Sequence, residues 1–516
     1  MRETLVCWSP WIALMGFTAC WVARWPSFPL LLDPYYHLFI ARQIADAGGP
    51  LWHEWWELAP AGRPHLYPPV LHLWLAMWLR LGVPPLVALR LTSAVFPPVL
   101  LITLWAVVRR LLNPRTASTV LAASLLPFSF HLHSAITLAA TLGMIESLWL
   151  LVALVEERWI AAGWLIALLC YTHLGLPVVM ALTMGAALLL GATSWQTMLR
   201  AGWGLLLTIP WWVHLWGHRS AFRSVTRYEN TMVELMPMLL TFAVAGLWRS
   251  WRVPKLRWLI ALAIGFLPLV GRYAYRWLSG EGLLPIILLA GVGLVSTAET
   301  LARWWTARRG RSGAPGPHGS RRTLTLLLGV LLLAPSLTHA PTGWHWRWFD
   351  AAPWHLLNAP WTVSKPIDVS FASPQMEELA RVVARQTQPG EIVWSNAPYA
   401  LGLIAALADR PIASAMFNEV VGAEPANPPA VARLIVWFKF ETLPGARSAP
   451  PRPPGPLTVV ADQELAVVYR QAGVTVRAKA PAAGLPLVVA LLLLLLGITG
   501  IVWDLGRARQ AVPRPV

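Results

Sequence analysis

Apolar runs long enough to cross a bilayer, or close to it, recur along most of this chain. They lie at about residues 5–23, 91–108, 117–132, 146–156, 159–172, 175–192, 201–216, 233–248, 257–271, 282–298, 323–339 and 484–503. A water-soluble fold has too little interior to hide so many of them. In hydrocarbon every backbone N–H and C=O must be paired within the protein, so each run predicts a helix and the set predicts about twelve crossings. The composition agrees, with 56% hydrophobic and 13% charged residues. Residues 5–23 follow Arg2 as a signal peptide would, but no A-x-A pattern follows them, and the run is expected to remain as the first helix.

The chain carries 41 Lys plus Arg against 24 Asp plus Glu, a formal charge of +17. One basic patch of that size would suit nucleic acid, yet the basic residues are dispersed between the apolar runs. They fall at Arg109, Arg110 and Arg115, at Arg158 and Arg200, from Arg249 to Arg257, from Arg303 to Arg322, and from Arg507 to Arg514. No nucleic acid is therefore expected as a partner, and the positive-inside rule places these loops and both termini in the cytoplasm of a multi-pass plasma-membrane protein. That threading requires "YPPVLHLWLAMWLRLGVPP" (67–85), about a dozen residues between prolines, to lie flat on the outer surface. The 32 tryptophans suit interfacial belts, and Cys7, Cys20 and Cys170 all sit in apolar runs, which argues against a disulfide framework or a thiolate cluster.

Three divisions follow. Residues 1–340 form a transmembrane catalytic domain whose first outer loop is 24–90; 341–483 is polar and lies outside; 484–516 is the last helix and a basic tail. Within 341–483 a helix-like run, Gln375 to Arg385, precedes strand-like runs beginning at Glu391, Leu434, Leu457 and Leu465, which predicts a small extracytoplasmic α/β domain. The segment "PGARSAPPRPPGP" (444–456) is expected to be a loop.

This threading brings distant acids and bases to the outer face. Asp33 opens "DPYYH" in the first outer loop, Glu146 in "GMIES" is read as the outer end of a helix, and Glu229 lies in the loop "SVTRYEN". Three carboxylates at one surface suit a divalent cation, Mg²⁺ or Mn²⁺, completed by substrate phosphates. Arg223, Arg227, Arg272 and Arg276 nearby suit bidentate contacts to those phosphates. The outward histidines His37, His65, His131 and His133 have no convincing zinc spacing.

Asp33-Pro-Tyr-Tyr-His37 followed by Arg42 resembles the first acidic motif of the catalytic subunit of oligosaccharyltransferases, archaeal and bacterial type, within the GT-C glycosyltransferases. "HLYPPVLHLW" with Tyr67 resembles the Pro-Pro segment later in the same loop. "GMIES" stands where the family has its second acidic motif, with Glu146 for an aspartate. Thr226-Arg-Tyr-Glu229 resembles a Thr-x-x-Glu signature, and "GRYAYRWL" with Arg272 resembles the segment that sets an arginine against a lipid-linked pyrophosphate. The resemblance implies a GT-C fold and Asp33, Glu146 and Glu229 as catalytic residues and metal ligands. It also implies Arg272 as a phosphate contact and a sugar donor anchored by a polyprenyl chain. It fails at the acceptor site: the strand "EIVWSNAPYALG" (391–402) has Trp394 and Tyr399 but no WWDYG motif, so sequon reading is not implied.

The expectation is a polytopic α-helical membrane glycosyltransferase of the GT-C fold. It moves a sugar from a polyprenyl-phosphate or polyprenyl-diphosphate donor to an extracytoplasmic protein, lipid or glycan acceptor. Asp33, Glu146 and Glu229 are its catalytic set, with Arg272, Arg227, Arg276, His37 and Tyr67 binding substrate. Two alternatives stay open: an oligosaccharyltransferase with a diverged acceptor site, and a transporter or flippase of lipid-linked glycans, which would place ionisable residues at mid-membrane.

Overall fold

A computed structural model of the protein describes residues 11–12, 14–19, 21–23, 25–29, 32–136, 138–222, 237–268, 280–308, 323, 373–416, 429–439 and 457–511. The expected run 324–339 and the Pro-rich segment 444–456 lie outside them.

Two helices cap one end of the molecule, α1 (Asp33–Ala47) and α2 (Val70–Arg80). Between them a loop carries the short antiparallel pair β1 (His53–Glu54) and β2 (Arg63–Pro64). The bundle follows as α3 (Pro85–Leu111), α4 (Pro114–Ser124), α5 (Phe128–Ile136), α6 (Leu138–Val155), α7 (Trp159–Thr172) and α8 (Leu176–Leu189). Three short helices come next, α9 (Trp195–Ala201), α10 (Trp203–Leu206) and α11 (Ile209–Gly217), then α12 (Pro237–Arg252), α13 (Arg257–Phe266) and α14 (Leu283–Arg308). Among the described residues four helices are long and apolar enough to cross a membrane: α3, α6, α14 and the last helix, α17 (Leu487–Ala511), whose apolar part is Leu487–Arg507. They become five if α4 and α5 are one broken span. At 11 residues α2 is too short to cross.

Two expected runs are not single helices. The run 117–132 is broken between α4 and α5, which meet at 83°. Pro127 lacks an N–H and disfavours helical backbone at the residue before it; the Ser124 carbonyl is taken instead by His131 Nε2 at 2.8 Å. The run 201–216 begins at the last residue of α9 and is split into α10 and α11. Gly204 of α10 lies so close to the Gly163 backbone of α7 that a Cβ would not fit, and Pro210 opens α11.

Beyond the bundle, α15 (Pro374–Gln386) and α16 (Pro398–Ala408) accompany a four-stranded sheet of β3 (Val393–Ser395), β4 (Leu434–Phe438), β5 (Leu457–Asp462) and β6 (Ala466–Gln471). Its order is β3-β4-β6-β5, with β3 and β4 parallel and the other pairs antiparallel. Apolar residues of α15, α16, β4 and β6 share one buried cluster with α1, α2 and the first turn of α6, so the α/β unit sits on the cap. The bundle helices form a second cluster.

The helix ends sort onto two faces. On one, Arg110 pairs with Glu156 at 2.6 Å and donates to the Leu505 carbonyl at 2.8 Å, Arg115 meets Glu299 at 3.7 Å, and Asp504 accepts the Ala161 N–H at 2.9 Å. On the opposite face His214 Nε2 meets the His65 carbonyl at 2.8 Å, and the N–H groups of Gly484 and Leu487 donate to Pro50 and Gly48 at 2.8 and 2.6 Å.

Helices α12 and α14 cross where Gly246 faces the Leu289 carbonyl and Gly293 faces the Phe242 carbonyl, and a methyl on either glycine would overlap that oxygen. In lipid, close backbone approach supplies packing that the hydrophobic effect cannot. Gly293→Val is expected to cost about 1–3 kcal/mol through forced overlap and to lower the thermal midpoint of the purified protein. Gly185→Val, where a side chain meets open space, is expected to leave it nearly unchanged.

Candidate functional site at the capped face

The cap begins with Asp33, exposed in the first turn of α1, where the helix dipole favours a carboxylate. Pro34 follows, compatible with the first turn because its missing N–H has no helical partner there. Tyr35, Tyr36 and His37 then turn inward and are buried. His37 Nδ1 lies 2.9 Å from His72 Nε2 of α2, and the Tyr67 ring packs edge-on at 5.0 Å from the His37 ring. Burial lowers the His37 imidazole to about 3, with His173 and His65 adding to the effect. The histidine pair is therefore neutral near pH 7, one ring donating its proton to the other.

Beside it lies a buried ionic network that sequence reasoning missed. The β1–β2 register sets Glu54 against Arg63. Arg63 Nη2 reaches Glu54 Oε2 at 2.8 Å, its Nε donates to Glu57 Oε2 at 2.5 Å, and its Nη2 lies 3.4 Å from the Tyr36 hydroxyl. Glu54 also contacts His65 Nδ1, and Glu57 accepts the Met416 N–H. Burial pushes Glu57 up to about 7 while Arg63 pulls it back. Burial also works against the Arg63 charge, but Glu54 and Glu57 outweigh it and hold the guanidinium above its ordinary value. The network joins the first loop to the α/β unit, and backbone bonds reinforce it: Ile412 N–H to Trp56 and Ala59 N–H to Ile412, at 2.8 and 2.9 Å. The signal in the sequence is "HEWWELAPAGRPH" (53–65), acids three residues apart among tryptophans with one arginine to balance them.

Glu146 is not at a helix end. Helix α6 starts eight residues earlier, at Leu138, which places Glu146 about 12 Å below that start. The helix begins early because Ala139, Ala140 and Gly143 favour packing and Thr141 satisfies its hydroxyl on the Ser134 carbonyl at 2.8 Å. The Glu146 carboxyl is buried; one oxygen accepts from Thr172 Oγ1 at 2.8 Å and the other has no hydrogen-bond partner. Arg42 pairs with Asp409 of the α/β unit at 3.2 Å, and His133 lies 3.4 Å from Glu281 at the start of α14. Arg223, Arg227, Glu229, Arg272 and Arg276 lie outside the described residues. Among the described residues no three His, Cys, Asp or Glu side chains are grouped to hold a metal ion.

Trp394 of β3 is buried against Trp437 with ring centroids 6.2 Å apart, and the Asn396 side chain is bonded to the Phe438 backbone on both its atoms, at 2.8 and 3.1 Å. Trp394 and Asn396 thus build this strand end into the α/β core.

Two variants test the cap. Arg63→Ala leaves two buried acids unbalanced and is expected to cost about 3–5 kcal/mol in an unfolding measurement. A histidine held below its unfolded value contributes stability that is complete above about pH 6.5 and is lost as the pH falls. Wild-type thermal stability is therefore expected to drop between pH 6.5 and 4.5, and His37→Gln with His72→Gln to flatten that drop.

No family model matches the sequence, and no curated protein sequence matches it. Solved structures do match in fold. The oligosaccharyltransferase AglB of Archaeoglobus fulgidus, in complex with an inhibitory peptide and a dolichol-phosphate, aligns with a TM-score of 0.54 at 12% identity over 84% of this chain and 69% of that one. Its apo form aligns at 0.53 and 12% identity over 84% and 70%. Its complex with Zn and sulfate aligns at 0.52 and 12% identity over 83% and 68%. The resemblance expected from the short motifs is thus present in the architecture: the chain shares its fold with an archaeal oligosaccharyltransferase.

Proposed function

We propose that the protein is a membrane glycosyltransferase that moves a sugar from a polyprenyl-phosphate or polyprenyl-diphosphate donor onto an extracytoplasmic acceptor. The observation that carries this reading is the fold match over 84% of the chain to a transferase captured with dolichol-phosphate. A donor of that kind keeps its tail in lipid and its anomeric carbon at the surface, which calls for a site where helices meet an aqueous face. Asp33, exposed at the head of α1 on the capped face, is suitably placed for such a site.

In this reading an acceptor oxygen or nitrogen attacks the anomeric carbon as the bond to the phosphate oxygen breaks, and the polyprenyl phosphate leaves with the electron pair. Asp33 orients the acceptor and takes its proton. Arg227, Arg272 and Arg276 contact the phosphates, as their sequence motifs imply. His37 and Tyr67, whose rings pack 5.0 Å apart in the cap, are the proposed substrate contacts there, His37 as a neutral imidazole. Asp33, Glu146 and Glu229 are the proposed ligands of a divalent cation, Mg²⁺ or Mn²⁺, which would neutralise charge on the leaving phosphate. Glu146 has a carboxyl oxygen without a partner to offer, but from mid-helix in α6, so it would meet such a cation below the surface at which Asp33 is exposed. The capped face is the extracytoplasmic one in this reading, with both termini in the cytoplasm.

The acceptor is not expected to be a sequon peptide, because Trp394 is committed to the α/β core. A saccharide or lipid acceptor fits better.

The test supplies radiolabelled polyprenyl-linked sugars to the purified protein, with and without Mn²⁺, and identifies the labelled product. Asp33→Asn is expected to lower transfer by about 10²-fold or more while donor binding persists. Unchanged transfer in that variant, or translocation of the donor without transfer, would overturn the reading in favour of a carrier.

A further inference from the structure

Four helices end on the same face with the same two-residue device. Arg109 lies over Trp105 at 4.9 Å in α3, Arg252 over Trp248 at 4.2 Å in α12, Arg308 over Trp304 at 4.1 Å in α14, and Arg507 over Trp503 at 3.8 Å in α17. Each pair has i, i+4 spacing within its helix's last turns, so the backbone itself sets the guanidinium plane over the indole. The four arginines are exposed, as are Trp248, Trp304 and Trp503.

Interfacial anchoring would account for tryptophans at these depths and the positive-inside rule for the arginines, but neither requires the two to be stacked in one register on four helices. Three acids of this face are already engaged, Glu156 by Arg110, Glu299 by Arg115, and Asp504 by the Ala161 N–H, while the exposed Glu157 of the same face pairs with none of the four arginines. Among the described residues none of the four stacked arginines has an acidic partner within ion-pair distance. The result is a set of oriented, uncompensated guanidiniums whose apolar side is covered by an indole and whose N–H edges stay free for anionic oxygens.

We propose that these Trp–Arg pairs bind the phosphate headgroups of anionic phospholipids. The pairs of Arg109 and Arg507 sit on adjoining helix ends, because Arg110 donates to the Leu505 carbonyl and so fastens the end of α3 to the end of α17. A headgroup phosphate there has guanidinium N–H donors from two helices, while the acyl chains run along the exposed apolar flank of α17, which includes Leu492, Leu496 and Val502. This inference does not rest on the proposed transfer reaction.

Native mass spectrometry of the full chain in detergent, offered equal amounts of phosphatidylglycerol and phosphatidylcholine, provides the test. Wild type is expected to retain phosphatidylglycerol preferentially, and each of Arg109→Gln, Arg252→Gln, Arg308→Gln and Arg507→Gln to reduce that preference by about fivefold at most. Trp503→Leu, which keeps the charge and removes the ring, is expected to reduce it by a smaller factor. Arg303→Gln, on the same face but without a stacked indole, serves as the control for charge alone and is expected to have the least effect. Equal retention of the two lipids by wild type would overturn the proposal, as would an unchanged preference in all four glutamine variants or an Arg303→Gln loss equal to theirs.

Discussion

A single guanidinium holds the capped face together. Arg63 is buried between Glu54 and Glu57, and neither acid could remain ionised there without it, since desolvation of a carboxylate costs several kcal/mol. Glu57 in turn fixes the Met416 N–H and Glu54 fixes His65, whose carbonyl receives His214 from the bundle. Through one cation the first loop, the α/β unit and α11 acquire a common geometry. The exposed carboxylate of Asp33 stands at the head of the helix that this geometry seats.

The loop achieves this without length or regularity. Two residues of antiparallel pairing bring Glu54 opposite Arg63, and the rest of the loop supplies aromatic cover. Buried ion networks of this kind add little net stability compared with apolar packing, but they are intolerant of partial loss. That property suits a loop that closes against a second unit of the chain, where misregistration by one residue would point every side chain the wrong way.

Much of the fold could be read from the chain because lipid imposes a simple rule. The runs 159–172 and 175–192 appear as helices within a few residues of their expected limits, and the run 484–503 appears as a helix that starts at Leu487 and continues to Ala511. The reading was poorer where polar or small residues interrupt a run. Gly202 separates one expected helix from α9 and Pro210 opens the second of the two pieces into which it is split, and Thr141 hides the true start of α6 because its hydroxyl is satisfied locally. That second error displaced Glu146 from mid-helix to a helix end. The Glu54–Arg63–Glu57 network was invisible for a different reason: its members are ordinary loop residues until the α/β unit, some 350 residues later, closes over them. The short motif at Asp33 did lead to the right architecture, through its resemblance to the oligosaccharyltransferase motif, whereas the helix that it opens, α1, was read only as part of an outer loop.

The last helix is fastened at both ends to parts of the chain made long before it. Its head bonds to Gly48 and its neighbour Gly484 to Pro50, while its tail receives Arg110 and caps Ala161. Along most of its length it is otherwise bare toward lipid. During synthesis, then, the edge of the first loop stays open until α17, made far later along the chain, emerges to seal it. That helix works as a latch, and assembly of the capped face becomes a check that the segments between loop and latch have been threaded correctly.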